Sequence, residues 1–179
     1  MPNRIKASLS ELSNLSSIIM CGVLVALYVV IDSFSIYITP QNKLAISFIA
    51  LALLSYRLGF IPAALASVAC DVIGFLIKPM GPYFPGFALS KVITVIIFAY
   101  FLYMRPVKLW RVALSKALVN ILVNISLNTL WISVLYGKAY KVILLGQITK
   151  NLILLPVEII LLWLVLKGFE QVLMRLQRR

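Results

Sequence analysis

The sequence predicts an all-α membrane protein, a six-transmembrane-helix bundle with both termini cytoplasmic. Three observations carry this. Of 179 residues, 63% are hydrophobic, and the mean hydropathy is +1.05, whereas a soluble domain is roughly half apolar. The charge is lopsided, Lys+Arg 17 against Asp+Glu 5 for a net +12. These basic residues fall mainly between apolar runs, the pattern of a membrane topology rather than of a nucleic-acid-binding face. The third observation is the stretch from Lys78 to Lys91, which holds Pro79, Pro82 and Pro85. Each proline lacks an N–H and fixes φ, so no helix runs through, and the apolar helices on either side must stop and restart across a stiff loop.

Residues 1–15 are polar, with Arg4 and Lys6, and read as a cytoplasmic leader. The first span runs from about Ser16 to Tyr37. It carries Gly22 and Ala26 four residues apart, a pair that lets another helix approach closely, inside the bundle or from outside it. A polar turn, Thr39-Pro40-Gln41-Asn42-Lys43, follows. Residues 44–77 are too long for one crossing, since about twenty residues span the hydrocarbon. Arg57, Gly59 and Pro62 mark a break, giving helices over 44–57 and 60–77. After the proline-rich loop, spans run over 86–104, 112–136 and 142–166, and a basic tail closes the chain. The domains are thus a leader (1–15), the six-helix unit (16–167) and a tail (168–179).

Six spans place Arg4, Lys6, Arg57, Arg105, Lys108, Arg111, Lys167, Arg175, Arg178 and Arg179 on the terminus side, and only Lys43, Lys78, Lys138 and Lys141 opposite. This satisfies the positive-inside rule; merging 44–77 into one span would violate it. Nothing suggests a cleaved signal. Cys21 and Cys70 lie within apolar runs and imply no disulfide framework.

The chemistry is restricted. There is no histidine, so histidine-ligated metals and histidine bases are excluded, and no cofactor is expected. No phosphate-binding loop, zinc motif or catalytic triad is present. What remains is a polar inventory inside apolar spans. Lys116, Asn120, Asn124 and Asn128 recur every four residues with Trp131 on the same side, and amides in a bilayer must face protein or a cavity. Asp32, Asp71 and Glu158 accompany Lys91, Lys116 and Lys150. They could be structural ion pairs, Lys91 with Asp71 and Lys150 with Asp32 among them, or they could serve a ligand.

Thr39-Pro40-Gln41-Asn42-Lys43-Leu44, Asp71-Val72-Ile73-Gly74-Phe75 with Tyr83-Phe84-Pro85-Gly86-Phe87, the segment Asn124 to Trp131, and Lys150-Asn151-Leu152-Ile153 with Pro156-Val157-Glu158 together resemble the substrate-binding S component of an energy-coupling factor (ECF) transporter, of the folate-specific branch. The resemblance covers about residues 18 to 166. It implies a six-helix bundle in the bacterial cytoplasmic membrane that captures a vitamin from outside with high affinity. It also implies a transmembrane coupling subunit and two cytoplasmic ATPases as partners, with Gly22 and Ala26 meeting the coupling subunit where the family more often shows two alanines. ATP hydrolysis belongs to those partners, so the chain is not expected to be an enzyme and has no nucleic-acid role.

Folate joins a flat pterin through an aminobenzoyl ring to a glutamate with two carboxylates. The outer side offers rings to stack, amides to read the pterin and lysines for the carboxylates. The candidate substrate-binding residues are Thr39, Gln41, Asn42, Lys43, Lys78, Tyr83, Phe84, Pro85, Gly86, Lys91, Asn124, Asn128, Trp131, Lys150 and Asn151. Lys91 and Lys150 lie deep enough to hold carboxylates, and Lys43 and Lys78 sit on loops where they would steer the anion. Rival readings are an S component for another vitamin or precursor, an ion-coupled secondary transporter acting alone, and a membrane enzyme using an acid pair.

Overall fold

A computed structural model describes residues 2–39, 42–44, 46–79, 82–137 and 139–177, with the backbone alone at 2, 3, 36–39, 42–44, 176 and 177. The chain is helical apart from one hairpin. Helix α1 (Pro2–Ser10) and a 3-10 turn (Glu11–Ser13) precede α2 (Leu15–Ser33). Strands β1 (Ile36–Thr39) and β2 (Asn42–Leu44) lead to α3 (Phe48–Leu58), α4 (Phe60–Ile77) and α5 (Pro85–Leu102). Helix α6 (Leu109–Leu118), a π-helical segment (Val119–Leu127) and α7 (Asn128–Tyr136) form one rod, and α8 (Tyr140–Gln177) ends the chain. Five helical stretches, α2, α4, α5, the α6–α7 rod and α8, are long and apolar enough to cross a membrane; α3 is apolar but shorter.

Three expected boundaries change most. The first span ends at Ser33 rather than Tyr37, and the next helix starts at Phe48 rather than at 44. Between them the strands pair antiparallel, Ile36 with Leu44 and Tyr37 with Lys43. Ile36-Tyr37-Ile38-Thr39 is a β-branched and aromatic run, which favours an extended chain, and Pro40 cannot continue a ladder. The last helix runs on through the expected tail to Gln177.

Local chemistry sets the other ends. The Asn14 side chain caps α2 by accepting from Ser16 N at 3.0 Å. Gly59, at φ +81°, separates α3 from α4, and a Cβ there would lie 2.7 Å from Ser8 Oγ and 2.8 Å from the Tyr103 ring. Ser8 sits over that break, donating to Leu58 O at 3.0 Å and accepting from Ile61 N at 3.2 Å. Pro85 opens α5 at its first turn, where a missing N–H costs nothing.

The core centres on α3, whose residues Ile49 through Ser55 are all buried. It packs against α2, α4, α5 and α8. Both chain ends lie at the same end of the bundle. The Arg4 guanidinium donates to the carbonyls of Ala99, Tyr100 and Tyr103 at the end of α5 and faces the rings of Phe60 and Tyr103. On α8, Glu170 Oε1 accepts from Val107 N at 3.1 Å and Tyr56 OH at 3.3 Å. The opposite end is left to the hairpin and to the loop joining α4 and α5.

Candidate functional site

A cavity of about 810 Å³ occupies the end of the bundle away from the termini, walled by α2, α3, α4, α5, the α6–α7 rod and α8. Its floor and sides include Leu51, Val119, Val123, Leu154 and Leu161, a low-dielectric lining in which each polar group needs a partner.

The π-helical segment explains how the amide stripe reaches this cavity. In an α-helix a four-residue repeat drifts about 40° per step. Bonding between residues five apart winds the chain more loosely, so the repeat stays in line. Lys116, Asn124 and Asn128 face the cavity, and Asn120 lies buried within the same stripe. The amides form a chain. Asn120 Nδ2 donates to Glu158 Oε2 at 3.2 Å, and Asn124 Nδ2 donates to Asn120 Oδ1 at 2.8 Å and Asn151 Oδ1 at 3.3 Å. Asn128 Nδ2 donates to Asn124 Oδ1 at 3.4 Å, and Asn151 Nδ2 to Gln147 O at 2.8 Å. Asn128 Oδ1 is buried with no partner among the described residues. In a native interior such an atom calls for a ligand or water.

Of the two acid–lysine pairs weighed by name, Lys91–Asp71 forms, and a further pair joins Lys116 to Glu158. Lys91 Nζ lies 2.8 Å from Asp71 Oδ1 and 4.8 Å from the Tyr28 ring centre. For Lys91 the structure therefore shows the ion pair that the sequence held as one of two alternatives. Lys116, 1% exposed, lies 3.3 Å from Glu158 Oε2 and 3.6 Å from the centre of the Phe48 ring. Ser47 Oγ donates to Asp32 Oδ1 at 2.7 Å. Lys150 is half-buried on the cavity wall, and Lys78 stands exposed at the rim, donating to Ser33 O at 3.2 Å.

The aromatic part of the loop closes the same cavity. The Phe84 ring centre is 5.5 Å from that of Trp131 and 6.1 Å from that of Phe87, while Phe75 and Tyr83 meet edge-on at 5.2 Å. Burial and the neighbouring Asp71 carboxylate push the Tyr83 phenol up from its ordinary pKa, so it stays neutral and able to donate. Trp131 Nε1 donates to Ser90 Oγ at 3.0 Å. A Cβ on Gly86 would lie 2.4 Å from Phe84 Cε1 and 2.7 Å from Trp131 Cδ2, so glycine is what lets the first turn of α5 sit beneath both rings.

Of the candidate residues, Lys78, Tyr83, Phe84, Lys91, Asn124, Asn128, Lys150 and Asn151 line the cavity together. Pro85, Gly86 and Trp131 stand behind it and shape it. Gln41, and the side chains of Thr39, Asn42 and Lys43, lie outside the described residues. Gly22 and Ala26 are exposed on α2, and nothing lies within 4 Å of a Cβ placed on Gly22, so packing within this chain does not use them. Tyr28, Ser47, Phe48, Phe75, Phe87 and Gln147 also line the cavity and were not among the candidates. Gln147 stands four residues before Asn151, a spacing that could have revealed it. Tyr28 lies in an unbroken apolar run that gives no such signal. Among the described residues no three His, Cys, Asp or Glu converge as metal ligands would.

A helical membrane bundle with a deep cavity, lined by rings, amides and charged pairs, has the construction of a substrate-binding component. Comparison with known proteins gives the class its family. The family model of the ECF transporter substrate-specific component matches residues 16–166, and the chain belongs to that family. It is a membrane transport component and not an enzyme. A curated relative, the folate transporter FolT of Clostridium novyi, is 33% identical over 140 residues, covering 78% of this chain and 81% of that protein. The folate transporter FolT of Leuconostoc mesenteroides is 27% identical over 148 residues, covering 79% of each chain. A crystal structure described as FolT bound with folic acid superposes with a TM-score of 0.79 at 32% identity, covering 85% of this chain and 93% of that one.

Proposed function

We propose that this chain is the folate-binding subunit of an ECF-type importer in the bacterial cytoplasmic membrane. It captures folate from the outer side and delivers it with a coupling subunit and two ATPases. The observation that carries the reading is the cavity, in which edge-on and tilted rings, an amide chain and lysines converge. The likeness to FolT proteins and to a folic-acid-bound structure supports it. The rings of Phe84 and Phe87 suit a flat heterocycle. Lys150 supplies positive charge on the wall and Lys78 at the rim for the glutamate carboxylates.

In this reading the membrane holds six spans. Both chain ends meet the same end of the bundle, which requires an even number of crossings. The short α3, about 16 Å long by its rise, crosses together with the hairpin that precedes it. The terminus end, rich in Arg and Lys, faces the cytoplasm. The leader (1–15) and tail (168–179) lie there, flanking the substrate-binding unit (16–167). Gly22 and Ala26, exposed and small, form the surface that meets the coupling subunit.

Calorimetry on the purified chain, without ATP, tests the ligand. Folate and 5-formyltetrahydrofolate should bind tightly while riboflavin and thiamine do not. Tight riboflavin or thiamine binding with no folate signal overturns the reading in favour of another vitamin.

A further inference from the structure

We infer that Glu158 is a specificity-determining residue that reads the hydrogen-bond-donating edge of the pterin; this rests on the folate reading above. A pterin presents a ring N–H and an exocyclic amino group side by side. An open carboxylate oxygen is a strong acceptor for a donor on this edge.

Three carboxylates line the cavity: Asp32, Asp71 and Glu158. Asp71 is held by Lys91 at 2.8 Å and is only 8% exposed. Asp32 accepts from Ser47 at 2.7 Å. Glu158 differs. Its two contacts, from Asn120 at 3.2 Å and Lys116 at 3.3 Å, both fall on Oε2. Oε1 has no hydrogen bond or ion pair among the described residues. The side chain keeps 19% exposure on the cavity wall. Lys116, buried behind it, and Asn120 hold Oε2 and fix the orientation of the side chain. Glu158 is therefore an acceptor held through Oε2, with Oε1 left for one donor of a ligand.

Depth gives the ligand a direction. By helical rise, Lys91 lies roughly 9 Å from the start of α5, Lys150 roughly 15 Å and Glu158 roughly 27 Å from the start of α8. A pterin at Glu158 leaves the glutamate tail nearer the rim, where Lys78 and Lys150 stand.

The alternative is that Glu158 is only the counterion of Lys116. The double variant Lys116→Met/Glu158→Gln separates the two, because it removes both charges and leaves neither buried alone. Calorimetry would compare wild type, Glu158→Gln and the double variant. The ligands would be folate, a 2-desamino-2-methyl folate analogue and p-aminobenzoylglutamate, which keeps the tail and lacks the pterin. Wild type should prefer folate over the desamino analogue by at least about tenfold, as expected where a buried acceptor loses its donor. The double variant should lose that preference, with p-aminobenzoylglutamate binding unchanged. A double variant that binds folate as wild type does reduces Glu158 to a counterion and overturns the inference. So does a wild type that binds both pterins equally, a result that does not depend on any variant folding. A wild type that binds no folate at all would instead overturn the ligand reading itself.

Discussion

Lys91 Nζ and Asp71 Oδ1 lie 2.8 Å apart, joining α5 to α4 on the wall of the cavity. Removing one member of a buried pair leaves the other uncompensated, which costs about 3–5 kcal/mol. Lys91→Met should therefore lower thermal stability in detergent sharply, and Lys91→Met/Asp71→Asn should recover most of it. A single variant as stable as wild type would show that the pair contributes little to the fold.

Lys150 gives the opposite expectation. It is half-buried on the cavity wall, where the folate reading places the ligand's anionic tail. Lys150→Met should weaken folate by about 2–5 kcal/mol, as for a buried charge pair losing one member. Binding of a pterin fragment without the glutamate should change little. Equal losses for both ligands in calorimetry would place the tail elsewhere.

Gly86 tests the aromatic wall without touching charge. In Gly86→Ala the new methyl must displace the Phe84 ring, since its position is 2.4 Å from Phe84 Cε1. Overpacking of this kind costs about 1–3 kcal/mol. We expect a folded protein with weakened folate affinity. Unchanged affinity with a normal melting curve would show that the ring can move without cost to the ligand.

Gly22 and Ala26 face outward on α2, with open space around the first. Gly22→Leu/Ala26→Leu should leave folding and folate binding near normal in detergent, while abolishing ATP-driven uptake when the partner subunits are present. Uptake at the wild-type rate in proteoliposomes would move the coupling surface to another face.

Arg4 closes the C-terminal end of α5 by donating to the carbonyls of Ala99, Tyr100 and Tyr103, groups that a helix end leaves unpaired. Arg4→Ala should lower stability by about 1.5–3 kcal/mol, the range for hydrogen bonds to a charged group, with Arg4→Lys intermediate. Identical melting curves for the three proteins would show that α1 is not a structural clamp.

Much of the site was legible because membrane chemistry makes polar residues conspicuous. Asn124, Asn128 and Asn151 stand out in apolar runs, and Tyr83, Phe84 and Gly86 in a proline-rich break. The hairpin was not legible, since Ile36 to Ile38 continues the hydrophobicity of α2, Thr39 to Lys43 reads as a plain polar turn, and the strands are defined only by their pairing with each other. Nor was the partnership of Lys116 with Glu158, which joins residues on different helices. The sequence supplied both charges, but only the packing of α6 against α8 brings them together. Phe48 and Tyr28 show the same limit, because a ring in an apolar run gives no sign of whether it faces lipid, core or cavity.

The π-helical winding of Val119–Leu127 acts as a vernier between backbone and side-chain spacing. While it persists, each amide of the stripe sits at its own depth but at a common azimuth, so exchanging one residue alters the cavity at a single level. Rewinding this segment as an ordinary α-helix would let the four-residue repeat drift by about 40° per step, turning Asn128 away from the azimuth of Lys116. The polarity of the cavity thus depends on helical phase as much as on composition.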